Sequence, residues 1–476
     1  MPYIPITPQT DDRRAKQGAT PMALTNCMVE RSPEAARRGS GYFITTAPGR
    51  TLKATLQASC RGLFSEPGVR DGKLYAPASV YFNEVSSNFG YSSVGAITGT
   101  NVVQMVPFRT EVALLSNGLI YRWTGSAFQA TTDGDVPASA TNLASVAYRL
   151  VAVNSTGDGF DWCVAGTFDS WDSAGTASDI YLPDPIVGQA RISDDLWSFN
   201  SRSTQIWQPT SGTEAEAFAP VPGATIAVGL AARDAFAPLS QGAMFLGHDR
   251  RVYRVSGGGI VPVVNRDLEI ALRDLTAANI TADARAYTYQ IGAKEYWGLS
   301  CGLERGFVYD VELGLWHERT RYGVAVYDVD FATSAFDSSD VVVAGIASTA
   351  LWKLDPTVYD DADGIILRTM TIHVPVSGDA PLDRLVIDME VFDQPLSGQG
   401  SAPTLMLEVS KDNGNTWSDE RTVSLPANGT WGKRIQAYRF GYFRSEYGML
   451  VRLRISDPIG FAVYGVYVNP THNEIP

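Results

Sequence analysis

The stretch VALLSNGLIYRWTG, Val112 to Gly125, decides how this chain is read. An apolar run reaches a polar, glycine-containing turn at Asn117 and Gly118, and a second strand leaves it carrying Tyr121 and Trp123. The pattern recurs with little literal identity. It is found in GKLYAPASVYFNE from Gly72, YRLVAVNSTGDGFDWCVAG from Tyr148 and DLWSFNSRSTQIWQPTSG from Asp195. It returns in AMFLGHDRRVYRVSGGGIVPV from Ala243, KEYWGLSCGLERGFVYDVELGLWHERT from Lys294 and DVVVAGIASTALWKLDP from Asp340. Two strands cannot bury both faces, so each hairpin needs a partner surface. Turn centres roughly 40–55 residues apart match the length of a four-stranded propeller blade, and stacked blades supply that surface. Seven hairpins predict six or seven blades. The same spacing of strands also fits a pair of β-sandwiches.

The bulk composition agrees with an all-β globular chain. Its 476 residues are too many for one small core, and 45% apolar with 19% charged residues is ordinary for a folded protein. The net charge of −13 argues against conventional duplex binding, which needs Lys and Arg to displace phosphate counterions. An acidic surface is instead what lets DNA pass without sticking. Cys27, Cys60, Cys163 and Cys301 lie far apart with no C-x-x-C pair, which predicts free thiols made in a reducing compartment. The opening MPYIPITPQTDDRRAKQG has no apolar core of a signal peptide, and no run of about 18 apolar residues predicts a membrane span.

Three regions follow from changes in texture. Residues 1–61, rich in Pro and Arg with few strand patterns, read as an N-terminal arm and irregular segment that wraps a neighbouring subunit. Residues 62–360 read as the β-propeller. One segment there, Asn265 to Gln290, places Leu268, Leu272 and Leu275 at helical spacing and predicts a short surface helix between blades. The acidic DPTVYDDADGI marks a joint, and residues 361–476 read as a C-terminal β-sandwich of long alternating strands.

Ser410, Asp412, Gly414, Thr416 and Trp417 spell S-x-D-x-G-x-T-W, which resembles the Asp box of sialidases and other propeller glycosidases. In that turn the carboxylate accepts backbone N–H groups, the glycine supplies an unusual backbone conformation and the aromatic packs beneath. The motif therefore predicts a hairpin rather than hydrolysis. Glycoside cleavage needs two converging carboxylates, and a sialidase also needs an arginine cluster; nothing here singles out either. GLSCG, Gly298 to Gly302, matches the spelling of a nucleophile elbow at Ser300, but that elbow needs a strand-to-helix turn and a β-hairpin pattern surrounds it. His248, His317, His373 and His472 stand singly, without metal-ligand spacing. SGGGI at Ser256 lacks the Lys of a phosphate loop, and DSWDSAG and DDADG lack an EF-hand register and read as solvated acidic turns. No catalytic, cofactor-binding or metal-binding residue is assigned.

The C-terminal run LEVSKDNGNTWSDERTVSLPANGTWGKRIQAYRFGYFRSEYGMLVRLRISDPIGFAVYGVYVN is similar to the end of the packaged DNA stabilization, or tail nozzle, proteins of short-tailed phages. The likeness lies in the Asp-box turn, the Glu-Arg after it, the G-x-x-x-KR stretch, R-x-R-I-S-D-P and the closing YGVYV. Near the start, NCMVERSPEAARRGSGYFITTAPG is similar to the family's N-terminal passage. The resemblance implies a structural, non-enzymatic virion protein without cofactor, made in the bacterial host cytoplasm and built into the tail. It implies a homo-oligomeric, hexameric ring below portal and adaptor that retains packaged DNA and guides genome ejection. The implied partners are the tail adaptor, tail fibre, spike or needle proteins, and genomic double-stranded DNA passing transiently through an acidic or neutral lumen. No membrane insertion is implied. The alternative is an Asp-box propeller that binds or cleaves host glycans.

Overall fold

Asn117 and Gly118 adopt φ of 50° and 80°, the left-handed backbone that a two-residue hairpin requires, so the strands Glu111–Ser116 and Leu119–Trp123 pair from Val112↔Trp123 to Ser116↔Leu119. Gln104–Phe108 pairs on one side of this hairpin and Phe128–Ala130 on the other, completing a four-stranded blade. The computed structural model describes residues 3–5, 23–32, 41–178, 182, 184–263, 265–302, 306–323, 327–336, 340–361, 364–374, 379–412, 414–427, 435–444 and 449–469.

Among the described residues the same plan is met seven times. Blade one uses Leu74–Tyr75, Tyr81–Val85 and Tyr91–Ala96, with bridges from Cys60 and Phe64 on its inner side. Blades two to six span residues 104–130, 142–178, 186–220, 236–262 and 284–319. Blade seven contains Phe331–Ala335, Asp340–Ala344 and Ala350–Asp355, and its outermost strand is Gly49–Thr55, taken from before blade one. That strand closes the wheel by chain-distant hydrogen bonds, which removes the free edge an open array would expose. Each hairpin singled out in the sequence supplies the middle pair of one blade.

Apolar faces of neighbouring blades fill the spaces between them. Phe160 and Trp162 of blade three meet Trp207 and Phe218 of blade four at 5.1 and 5.3 Å between ring centroids. Near the axis polar side chains tie one inner strand to the next: Leu143 N donates to Gln104 Oε1 at 2.8 Å and Gln189 N to Asn142 Oδ1 at 2.9 Å. Gln290 N donates to Ser334 Oγ at 2.8 Å between blades six and seven. These bonds satisfy inner-strand groups that no ladder reaches.

The predicted helix is present as Arg266–Asp274, capped by Asn265, whose side chain accepts Leu268 N, and followed by the short Ala277–Thr281. Leu268, Leu272 and Leu275 are buried against blades four to six, so this stripe seals the wheel's flank. Beyond the helices the segment turns to strand at Ala284–Ile291, because Ala284, Tyr287 and Tyr289 are buried in a ladder with Lys294–Cys301.

The second body is a sandwich. One sheet orders Cys27–Arg31, Tyr42–Thr46, Gly460–Val468, Ala380–Phe392 and Ile435–Phe443, with Tyr3–Pro5 also pairing to Gly460–Val468. The other orders Ala23–Thr25, Arg368–Val374, Met449–Ile455, Thr404–Ser410 and Arg421–Ser424. Ile44, Met370, Leu405, Leu453 and Val463 are fully buried between them. The reading of residues 1–61 as an irregular arm is corrected here. Its described parts, 23–31 and 42–46, are strands of this sandwich, and Gly49–Thr55 belongs to blade seven. These strands are at most seven residues long; Cys27–Arg31 pairs with Tyr42–Thr46, but Ala23–Thr25, Tyr42–Thr46 and Gly49–Thr55 reach partners some three hundred or more positions away, which no local alternation reveals.

Candidate functional site: the axial cavity and the propeller–sandwich junction

The seven inner strands surround an axial cavity of about 910 Å³. Its wall includes Glu66, Arg191, Arg233, Asp234, Arg285 and Asp330, three charges of each sign. Arg233 grips Asp234 through Nε and Nη2, both at 2.9 Å. Arg285 Nη1 lies 3.7 Å from Asp330, which also accepts Ser300 Oγ at 2.8 Å and Ile346 N at 2.9 Å. Burial pushes the Glu66 carboxyl above its ordinary value. This volume is that of a small-molecule pocket, typically ~300–1,000 Å³. A duplex, whose major groove alone is about 12 Å wide, does not pass through it.

The junction between wheel and sandwich is built from buried polar side chains. Ala23–Thr25 pairs antiparallel with Arg368–Val374 and, through Thr25↔Glu318, parallel with the outer strand of blade six, so blade and sandwich share one nine-stranded sheet. Asn26, 2% exposed and at φ 55°, donates to Thr320 O and Leu367 O at 3.0 Å each and accepts Thr320 N at 3.0 Å. Arg50, 1% exposed on the closing strand, holds Asp361 through Nε and Nη2 and Asp328 through Nη1 at 2.7 Å. Its guanidinium also stands 5.4 Å from the Trp352 ring and 5.5 Å from the Tyr327 ring. Arg319 donates to Pro48 O at 2.7 Å. Arg368, fully buried, donates to Thr46 Oγ1, Tyr359 O and, at 3.0 Å, Asp457 O, while burial draws its basicity down to about 10. DDADG, read as a solvated acidic turn, thus contributes Asp361 to the interior.

The Asp-box turn joins Thr404–Ser410 to Arg421–Ser424. Asp412 Oδ1 accepts Thr416 N and Ser410 Oγ, each at 2.8 Å, and Oδ2 accepts Thr416 Oγ1 at 2.6 Å. Ser410 Oγ accepts Gly414 N at 2.8 Å, and Gly414 takes φ 91°. The Thr416 hydroxyl, before the other donors, lowers the Asp412 carboxyl to about 2. Trp417 carries the Arg452 guanidinium 3.6 Å above its ring. Every described donor and acceptor at Asp412 is spent inside the turn.

Two family models match this chain. One, described as the β-propeller of bacteriophage P22 Gp10, covers residues 21–303, and a second, the β-sandwich of the same protein, covers 367–470. The chain belongs to the bacteriophage P22 Gp10 family. It is a structural protein of the phage tail nozzle and a component of the virion. A search of curated proteins finds no match. Among solved structures, a chain of the mitotic checkpoint complex is 12% identical, covering 64% of this chain and 92% of its own, at TM-score 0.41. U3-55K is 11% identical over 64% and 99% at 0.39, and the Neurospora crassa Pan2 WD40 domain 9% over 65% and 95% at 0.39.

The remaining residues noted in the sequence fit this Gp10-family wheel as parts of the packing. Ser300 lies inside the strand Lys294–Cys301, paired with Arg285 and bonded to Asp330, so it occupies no elbow. His248 accepts Gly229 N, and His317 is buried beside Tyr296; His472 lies outside the described residues. Gly257 and Gly258, both at positive φ, form the turn of a blade-five hairpin. The four cysteines are buried and form no disulfide among the described residues, with burial pushing the Cys27 and Cys60 thiols up to about 12. What the sequence did not signal is the arginine cluster at the junction, since Arg50, Arg319 and Arg368 are isolated in the chain.

Proposed function

We propose that this Gp10-family protein forms a hexameric ring below portal and adaptor, retains the packaged genome and guides its exit along the ring axis between subunits. The observation that carries the reading is the axial cavity, too small for a duplex and lined by paired charges of both signs. A protomer built this way serves as wall, and the passage belongs to the assembly. Charge supports the same reading: residues 48–361 carry 34 Asp and Glu against 22 Lys and Arg, which keeps duplex phosphates from adhering. Buried, inert thiols suit synthesis in a reducing host cytoplasm before incorporation into the tail. The ring has no catalytic step, and its partners are the adaptor and the fibre, spike or needle proteins of the tail. Electron microscopy of the purified protein tests this, with rings enclosing an open lumen expected and virions lacking the protein expected to lose their DNA. A protein that stays a lone protomer while such virions keep their genomes would overturn it.

A further inference from the structure

The sandwich ends in the strand Ile435–Phe443, which among the described residues is the last in its sheet. Tyr438 and Tyr442 stand 53% and 58% exposed on this strand, beside the exposed Arg439, Arg444 and Lys411. Arg421 fixes the strand's backbone by donating to Tyr438 O at 2.5 Å and Arg439 O at 3.1 Å. The stretch from Thr404 to Ile455 carries eight Lys and Arg against five Asp and Glu, inside a chain of net charge −13, although Arg452 and Arg454 on the other sheet pair with Glu408 and Glu420. The result is a local basic, aromatic face on an acidic protein.

Its complement lies on blade three. Between Thr131 and Asp195 the chain has ten Asp and only Arg149 and Arg191 as cations, and in space one further cation, Arg109, reaches this face by donating to Gly166 O at 3.2 Å. Several of these aspartates form one connected surface. Asp169 accepts Thr132 N and Asp133 N, Asp133 accepts Trp171 N, and Asp135 and Asp172 are exposed alongside. Gly166 N donates to Tyr148 O at 2.7 Å, which brings Tyr148 to the same surface, 72% exposed. Tyr148 and Ala147 occupy a two-residue turn at φ 60° and 50°, positions that favour Asn and Gly. A bulky ring held there is a costly choice for folding alone.

We infer that the Tyr438–Arg444 edge of one copy docks on the acidic, Tyr148-bearing face of blade three in the next copy, and that this head-to-tail contact builds the ring. The inference rests on the ring reading given above. The sandwich is joined to blades six and seven, and blade three is three blades from each around a wheel of seven. The two faces therefore sit on opposite sides of the protomer, as a heterologous interface needs. Opposite charge sets the register, while exposed tyrosines supply contact area.

The test uses full-length protein, with ring content measured by sedimentation and electron microscopy. R439E/R444E and D135R/D172R are each expected to lower ring content about tenfold or more, as reversal of complementary charge does. Mixing the two variants restores rings, because alternating copies again face opposite charge. Tyr148→Gly fits the turn better, so it is expected to keep or raise thermal stability while weakening assembly. Wild-type rings with unchanged assembly in all three variants overturn the interface and leave the ring reading standing. Absence of wild-type rings overturns both. Loss of duplex binding by R439E/R444E with rings intact assigns the basic face to nucleic acid, and the proposal falls.

Discussion

Asn26 bonds to the end of blade six and to the sandwich with one short side chain, while its backbone carbonyl accepts Ala47 N, at a left-handed φ that asparagine tolerates. His317 illustrates what burial does to a titratable ring. Its ring is 5% exposed beside Tyr296, and desolvation, aided by Arg319, lowers its pKa from 6.5 to about 3. The sign of the consequence follows from linkage. The unfolded chain binds the proton first as pH falls, so the protein loses stability below pH 6.5 and continues to lose it until about 3. His317→Gln is expected to flatten this part of the profile, which is at most about 1.4 kcal/mol per pH unit, in urea midpoints compared at pH 7 and 4.5. An unchanged slope in the variant would assign the acid sensitivity to other groups. The depth of His317 was not legible in the sequence, because burial depends on strands brought over it from elsewhere.

Among the elements, the strand Gly49–Thr55 ties the two bodies together. It closes blade seven, and Arg50 on it reaches Asp361 and Asp328 near the start of the sandwich. Arg50→Ala leaves Asp361, 9% exposed, without its main partner, so unfolding free energy is expected to fall by about 3–5 kcal/mol. Chemical denaturation measures it, and a loss under 1 kcal/mol would show the cluster to be dispensable. The hairpins were readable because their pairing is local and their turns announce themselves through residues such as Asn117 and Gly118. The closing strand was not, since its partner Ala350–Asp355 lies three hundred residues on. Asp361 misled for a related reason: an acidic run in sequence looks solvated until a distant arginine is folded onto it.

For the molecule as a whole, the wheel and sandwich share a continuous sheet through blade six, joined by strand pairing rather than by a tether alone. If genome passes between protomers, filling the axial cavity of one wheel should leave delivery untouched. Ser145→Trp places a large side chain at the cavity wall, and phage carrying it are expected to eject DNA at the wild-type rate in a dye-release assay. Slowed ejection at normal assembly would place the duplex inside the wheel. The sequence by itself determined the blade hairpins, the helix carrying Leu268, Leu272 and Leu275, the C-terminal strands and the Asp412 turn, because each shows itself in a spacing or alternation within about ten residues. Only the tertiary structure decided that the chain's beginning completes its end, that Arg50 and Arg368 are interior, and that the axis holds a cavity of small-molecule size. Those outcomes depend on which distant strands and charges are brought together, and a linear pattern carries no record of that.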